Sequence, residues 1–310
     1  MTDGVPPPAN RDAEPRCGYI AIVGAPNAGK STLVNTLVGA KVAIVSPKVQ
    51  TTRTRVLGIT VEASSQLILV DTPGIFQPRR RLDRAMVSAA WEGAADADQV
   101  VLIVDAAARR VSPETLDIVD RLAQQKRPAI LALNKIDDTQ RDRLLGVAAQ
   151  LNEKLAFTQT FMISARTGDG VADLRSHLAG AVPPGVWLFP EDELSDMPLR
   201  LLATELTREQ VFQRLHQELP YSITVETEDW QAFDDGSVRI AQVVYVQRDS
   251  QKAIVLGRGG RMVKAIGTQA RAEIAAAIDQ PVHLSIHVKV RPGWVDDPDR
   301  YTPWGLDPNA

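Results

Sequence analysis

Eight residues, Gly24-Ala25-Pro26-Asn27-Ala28-Gly29-Lys30-Ser31, restrict this chain more than any other stretch. They follow an apolar run, Tyr19–Val23, and precede a helix-like pattern that sets Leu33, Leu37 and Val38 on one side. Strand, glycine-rich turn and helix form the setting in which G-x-x-x-x-G-K-[ST] works as a phosphate-binding loop. The glycines let successive backbone N–H groups converge on phosphate oxygens at the positive end of a helix. Lys30 can reach the outer phosphates, and the Ser31 hydroxyl can ligate the magnesium ion that accompanies them.

Further strand-like runs recur at Gln66–Val70, Val100–Val104, Ala129–Leu133 and Phe161–Ile163. Helix-like stretches separate most of them, near Ser31–Val38, Leu82–Trp91, Glu114–Ala123, Arg141–Leu155 and Val171–Leu178. Such alternation predicts an α/β fold, a mostly parallel sheet with helices on both faces, and it puts ligands at the carboxyl ends of the strands. Polar motifs fall at those ends. Asp71-Thr72-Pro73-Gly74 follows Leu67–Val70, where the carboxylate can hold a water of the magnesium shell and the glycine N–H can sense a terminal phosphate. Asn134-Lys135-Ile136-Asp137 follows Ala129–Leu133. A carboxylate placed like Asp137 can accept from guanine N1–H and the exocyclic amine, a donor pair that adenine lacks. Ser164-Ala165 can offer a backbone N–H to the guanine carbonyl.

This ordered set resembles the Ras-like GTPases of the translation-factor class, over about Gly18 to Leu178. The resemblance makes the polar, basic stretch Pro47–Arg55 the first switch, in which a threonine caps the magnesium only when the terminal phosphate is present. Thr52, just before Arg53, is the better match, and Thr51 is the other candidate. The resemblance thus assigns Lys30, Thr52 and Gly74 to catalysis, and Ser31, Thr52 and Asp71 to the metal. The nucleotide contacts run through Gly24–Ser31, Asp71–Ile75, Asn134–Asp137, Ser164 and Ala165. One departure stands out: Ile75 and Phe76 follow Gly74, where Ras-like enzymes often place a water-orienting glutamine. Gln77 is nearby but out of register. Hydrolysis should therefore be slow, or should depend on another group, an ion or a partner. Asn27 resembles the asparagine with which some relatives hold a potassium ion.

Pro183-Pro184-Gly185 and Phe189–Glu193 break the pattern and mark a linker over 183–198. Beyond it the spacing predicts a helix from Leu199 to Leu215 with Leu202, Leu206, Val211 and Leu215 as core contacts, strands over Tyr221–Val225 and Val238–Val246, and a turn at Asp234-Asp235-Gly236. A helix then leads to Gly257-Arg258-Gly259-Gly260, a long helix follows from Arg261 to Ile278, and a strand runs over Val282–Val290. In that last strand Val282, Leu284, Ile286, Val288 and Val290 point one way, and His283, Ser285, His287 and Lys289 the other. Charge is uneven. Between Arg239 and Arg291 nine basic residues face three acidic ones, so this stretch is +6 in a chain of net charge −3, and the remainder is near −9. Such a split predicts that one segment meets a polyanion.

The order of elements, with a basic Gly-x-x-Gly loop, resembles a type II KH domain, in which that loop clamps the backbone of single-stranded RNA. The resemblance puts Lys252, Gly257, Arg258, Gly259, Gly260, Arg261 and Lys264 at the RNA. An amino-terminal GTPase with Gln-Thr-Thr-Arg in its first switch, joined directly to a KH module, resembles the bacterial Era family from about Tyr19 to Val290. That resemblance implies GTP and GDP as ligands, Mg²⁺ and possible K⁺ near Asn27 as cofactors, and small-subunit ribosomal RNA and the 30S subunit as partners. It implies no DNA, a monomer, and a cytoplasmic protein able to associate weakly with the membrane periphery, although no amphipathic anchor is visible. The single cysteine, Cys17, fits a reducing compartment, and no apolar run approaches the ~20 residues of a spanning helix. Residues 1–16 read as a disordered tail, 17–182 as the GTPase domain, 199–291 as the KH domain and 292–310 as a tail without a reading. Two other functions remain open: an RNA-binding GTP sensor with negligible turnover, and a small-molecule phosphotransferase, which leaves Asp137 and the basic half without a purpose.

Overall fold

Period-2 burial sorts the strands of the amino-terminal half onto two helix-covered faces. The computed structural model describes residues 14–46, 48, 51–52, 56–76, 78, 81–215, 219–294 and 307. Six strands, β1 (Arg16–Val23), β2 (Val56–Glu62), β3 (Ser65–Asp71), β4 (Gln99–Asp105), β5 (Ile130–Asn134) and β6 (Gln159–Ile163), form one sheet in the order β2-β3-β1-β4-β5-β6. All neighbours are parallel except β2 and β3. Ile20, Ile22, Val101 and Ile103 point to one face, against Leu33 and Leu37 of α1 (Lys30–Val38) and Leu174 and Leu178 of α5 (Val171–Ala181). Their neighbours Ala21, Val23, Leu102 and Val104 point to the other. There they meet α2 (Arg81–Asp96), α3 (Pro113–Gln124) and α4 (Arg141–Asn152). Both faces are apolar because each strand alternates its side chains between them.

The structure departs from or adds to the sequence reading at three places. β2 has no counterpart among the expected strands; it turns into β3 through Ala63 at φ 53°, with no glycine to announce a hairpin. Arg16, assigned to the tail, is the first residue of β1, pairs with Ser65 and donates its Nε to the Val182 carbonyl at 2.7 Å. The linker over 183–198 packs against the first sheet. Trp187 and Phe189 pack on Leu57, Ile68 and Val70, the Ile59 N–H donates to the Leu194 carbonyl at 2.9 Å, and Gln66 bonds the backbone of Leu188 and Phe189. The segment covers the open edge that β2 would present, which otherwise invites pairing with another chain.

The second unit comprises α6 (Leu199–Arg214), β7 (Ile223–Ala232), β8 (Val238–Val246), α7 (Asp249–Leu256), α8 (Arg261–Ile278) and β9 (Val282–Val290). Its sheet has the order β7-β8-β9, antiparallel then parallel, with α6 and α8 packed together over one face. The crossover through α7 and α8 makes β9 parallel to β8. Of the four core contacts expected on α6, Leu206, Val211 and Leu215 are buried and Leu202 is half-buried against the same core, and β9 alternates in the expected sense. β7 starts later and runs longer than Tyr221–Val225, because Pro220–Ser222 forms a 3₁₀ turn. Trp294, in the tail that carried no reading, is 1 % exposed and donates its indole N–H to the Ser222 carbonyl at 3.1 Å.

Candidate nucleotide and RNA sites

The phosphate loop is shaped by what surrounds it. A Cβ at Gly24 would lie 2.5 Å from the Ile103 carbonyl oxygen, and Gly29 sits at φ 105° with the Asn134 amide where its Cβ would be. Only glycine fits either position. Lys30 is buried and donates to the Gly24 and Ala25 carbonyls at 3.1 and 3.0 Å. Burial pulls its ammonium down to about 8, with Asp71 opposing the shift. A buried cation held only by carbonyls is suited to an arriving polyphosphate. Asn27, at φ 62°, is exposed and lines the same cleft of about 510 Å³, together with Pro26, Thr52, Gly74 and Lys135.

Beside the loop lies a cluster of hard oxygen donors. The Asp71 Oδ2 accepts from Ser31 Oγ at 2.7 Å and from Thr52 Oγ1 at 3.2 Å, and the two hydroxyls are 3.0 Å apart. Asp71 is fully buried, and desolvation raises its pKa against the hydrogen bonds and the Lys30 charge. Its other oxygen, Oδ1, has no hydrogen-bond partner. A buried carboxylate oxygen without a partner, next to two hydroxyls, fits a magnesium ion and its water shell. Thr51 turns the other way, with Oγ1 on the Lys48 carbonyl at 2.7 Å. Thr72 is tied to the Ile22 carbonyl at 2.8 Å. A Cβ on Gly74 would meet Pro26 at 3.2 Å, and the Ile75 N–H donates to the Gly24 carbonyl at 3.3 Å. Ile75 is buried in the core and Phe76 packs with Leu82 and Met86, so no polar side chain occupies either position after Gly74. Gln77 lies outside the described residues.

One side chain joins the motifs. Asn134, at the tip of β5 and 3 % exposed, donates to the Ala28 carbonyl at 2.8 Å and accepts from the Ala165 N–H at 2.9 Å. The phosphate loop, the Asn-Lys-x-Asp turn and the Ser-Ala turn are therefore fixed in one frame. Lys135 takes φ 68° and pairs with Asp105 at 2.6 Å. Asp105, at the tip of β4, was not anticipated from the sequence; its only signal was its place at the end of an apolar run. Ile136 begins the 3₁₀ turn that carries Asp137. A hydrogen bond from Ser164, then one from its own backbone N–H and the nearby Arg166 guanidinium, hold the Asp137 carboxyl below the usual carboxylate range. An ionised acceptor is what a guanine edge requires.

The second site is open. Gly257, at φ 69°, closes on Met262, whose Cβ would be 2.7 Å from an added Cβ, whereas Gly259 and Gly260, at φ 62° and 75°, have nothing within 4 Å. Arg258, Arg261 and Lys264 are exposed around this turn, and Lys252 is half-buried on α7. Ile254, 54 % exposed on α7, adds an apolar surface that the motif did not flag. His283 and His287 lie on the outward face of β9.

Two family models match the chain: a 50S ribosome-binding GTPase over residues 19–135 and a KH domain over 218–295. GTPase Era of Afipia carboxidovorans is 56 % identical over 308 residues, covering 99 % of both chains. The chain belongs to the GTPase Era family. A solved structure of Era in complex with MgGDPNP and nucleotides 1506–1542 of 16S ribosomal RNA aligns with a TM-score of 0.88 at 36 % identity. It covers 94 % of this chain and 99 % of that one. An Aquifex aeolicus Era variant bound to GDP·AlF₄⁻ aligns with the same score, identity and coverage. Era membership accounts for both expected units, the Ras-like sheet and the KH module.

Proposed function

We propose that this protein is a GTP-binding and GTP-hydrolysing switch that binds small-subunit ribosomal RNA through its KH module in assembly of the small ribosomal subunit. The observation that supports this reading is the Asn134 amide, which ties the Ala28 carbonyl of the phosphate loop to the Ala165 N–H, so that the phosphate and base motifs share one frame. In this reading Lys30 neutralises the outer phosphates and Asp137 selects guanine. Ser31, Thr52 and Asp71 would hold a magnesium ion, which would supply charge neutralisation at the phosphates. The Gly257–Gly260 turn, open at Gly259 and Gly260, lets RNA phosphate approach the backbone closely, and Arg258, Arg261 and Lys264 add a salt-dependent attraction. Nucleotides near the 3′ end of the small-subunit RNA, such as those in the related complex, are the proposed target.

Several finer points belong to the same proposal. Asn27 would hold a potassium ion, which would supply charge where a glutamine is lacking, testable as a faster rate in K⁺ than in Na⁺. The protein works in the cytoplasm as a monomer on the 30S subunit, not on DNA. Any membrane association is peripheral, since no helix among the described residues is long and apolar enough to cross a bilayer. The buried Ile75 favours one second reading, an RNA-binding GTP sensor with negligible turnover. Single-turnover hydrolysis with and without RNA separates the two: phosphate release in either condition supports the switch, and none in both supports the sensor.

A further inference from the structure

The residues leading into the first switch, and Lys48 and Thr51 within it, contact α6 of the RNA-binding unit. Ile44 is buried among Ala203, Leu206 and Ile274, and the Val45 N–H donates to Glu209 Oε1 at 2.9 Å. Lys41 is paired with Glu209 and Glu273, and Lys48 donates to the carbonyls of Phe212 and Leu215 at the end of α6. The last of these contacts is to the Thr51 carbonyl, from the Arg208 Nη2. That carbonyl belongs to the peptide unit joining Thr51 to Thr52, and peptide planarity makes its orientation that of the Thr52 nitrogen. Thr52 is the residue whose hydroxyl reaches Ser31 and Asp71.

Arg208 is built to hold still. It is 1 % exposed, its Nε donates to Glu205 Oε1 at 2.9 Å with a second bond to the same carboxylate, and its guanidinium lies 5.1 Å from the centre of the Phe212 ring. A planar fork clamped by a carboxylate one helical turn away has little freedom to follow a wandering loop. We propose that Arg208, a residue of the KH-side helix, is a positioning residue for GTP hydrolysis, holding the Thr51–Thr52 peptide so that Thr52 meets the magnesium ion. This inference rests on the proposed function and on Thr52 as the switch threonine. It makes the GTP-state metal shell complete only while α6 is docked against the switch, and Arg208 acts without touching the nucleotide.

The test uses the full chain and three variants. Arg208→Met should lower the single-turnover rate at saturating GTP about tenfold and raise the Mg²⁺ concentration for half-maximal rate by a similar factor, as expected for coupling between two sites. GDP affinity should stay within twofold, because Thr52 serves only the state with a terminal phosphate. Arg208→Lys, which can still donate to the Thr51 carbonyl, should recover most of the rate. Losing Arg208 alone strands Glu205 in the interior, so Arg208→Met with Glu205→Met removes both charges, which the fold tolerates better; the same kinetic defect is expected. A double variant with wild-type rate and Mg²⁺ dependence, or GTP and GDP affinities that fall together, would overturn the inference. Thr52→Ala is the reference. A wild-type chain that responds to Thr52→Ala but not to the Arg208 variants refutes the positioning role alone. A wild-type chain that captures no GTP, or ignores Thr52→Ala, removes the functional reading and this inference with it.

Discussion

Replacing Asn134 with alanine deletes the amide that holds three loops in register. Two buried groups, the Ala28 carbonyl and the Ala165 N–H, lose their partners, at 2.8 and 2.9 Å respectively. A buried polar group left unpaired costs about 1–3 kcal/mol, so the ceiling is roughly 2–6 kcal/mol; water entering the space of the lost side chain moves the result towards the lower end. Because the two loops carry opposite ends of the ligand, most of this cost should appear in binding. At about 1.4 kcal/mol per decade, GDP affinity should fall by roughly 30-fold or more. Fluorescent-GDP titration measures it, and urea unfolding of the apo protein reports the part that falls on the fold. A companion variant sharpens the test. Gly29→Ala drives a Cβ to 2.2 Å from the Asn134 Nδ2, in a backbone at φ 105°. In the Asn134→Ala background that clash is gone and only the backbone strain of roughly 1–3 kcal/mol remains, so the two losses should add to less than their sum. A GDP affinity within twofold of wild type in Asn134→Ala, or strict additivity in the cycle, would refute the shared frame.

Other outcomes follow from individual residues. Asp137→Asn should exchange preference from GTP to XTP in competition binding, since the amide offers a donor where the carboxylate offered a second acceptor. Gly259→Asp sits in a left-handed conformation that aspartate tolerates, with nothing within 4 Å of the new Cβ, so the fold should survive. RNA affinity should drop about tenfold or more as a negative charge meets phosphate, with GTP binding unchanged in parallel titrations. Trp294→Ala empties a fully buried site and breaks the bond to the Ser222 carbonyl; about 3–5 kcal/mol of stability should be lost in chemical denaturation.

The parts of the molecule legible in the sequence were those whose cause is local. Tyr19–Val23, Val100–Val104 and Ala129–Leu133 announced β1, β4 and β5 because strands covered on both faces are apolar at successive positions. The loop motifs were readable for a similar reason, since Gly24 and Gly29 answer to steric limits that no other residue meets. What stayed hidden depends on partners far along the chain. Val56–Glu62 becomes a strand because β3 and then Leu194 supply hydrogen bonds to its two edges. On α6, period 3.6 identified Leu202, Leu206, Val211 and Leu215, the first of them only half-buried, but gave no hint that Glu205, Arg208 and Glu209 would be buried too. Lys41 and Val45 meet Glu209, and the Thr51 carbonyl meets Arg208, from more than 150 residues upstream. Trp294 likewise gained its meaning only from Ser222.

Ile44 carries a consequence for how the molecule comes apart. It leaves the nucleotide-binding half and completes the apolar centre of the other half, between α6 and α8. A fragment cut at Leu199 would expose a hollow where that methyl-bearing side chain had been, and the remaining half would carry an oily plug into water. Neither piece is a finished object, so heating the intact chain should release both in a single cooperative event.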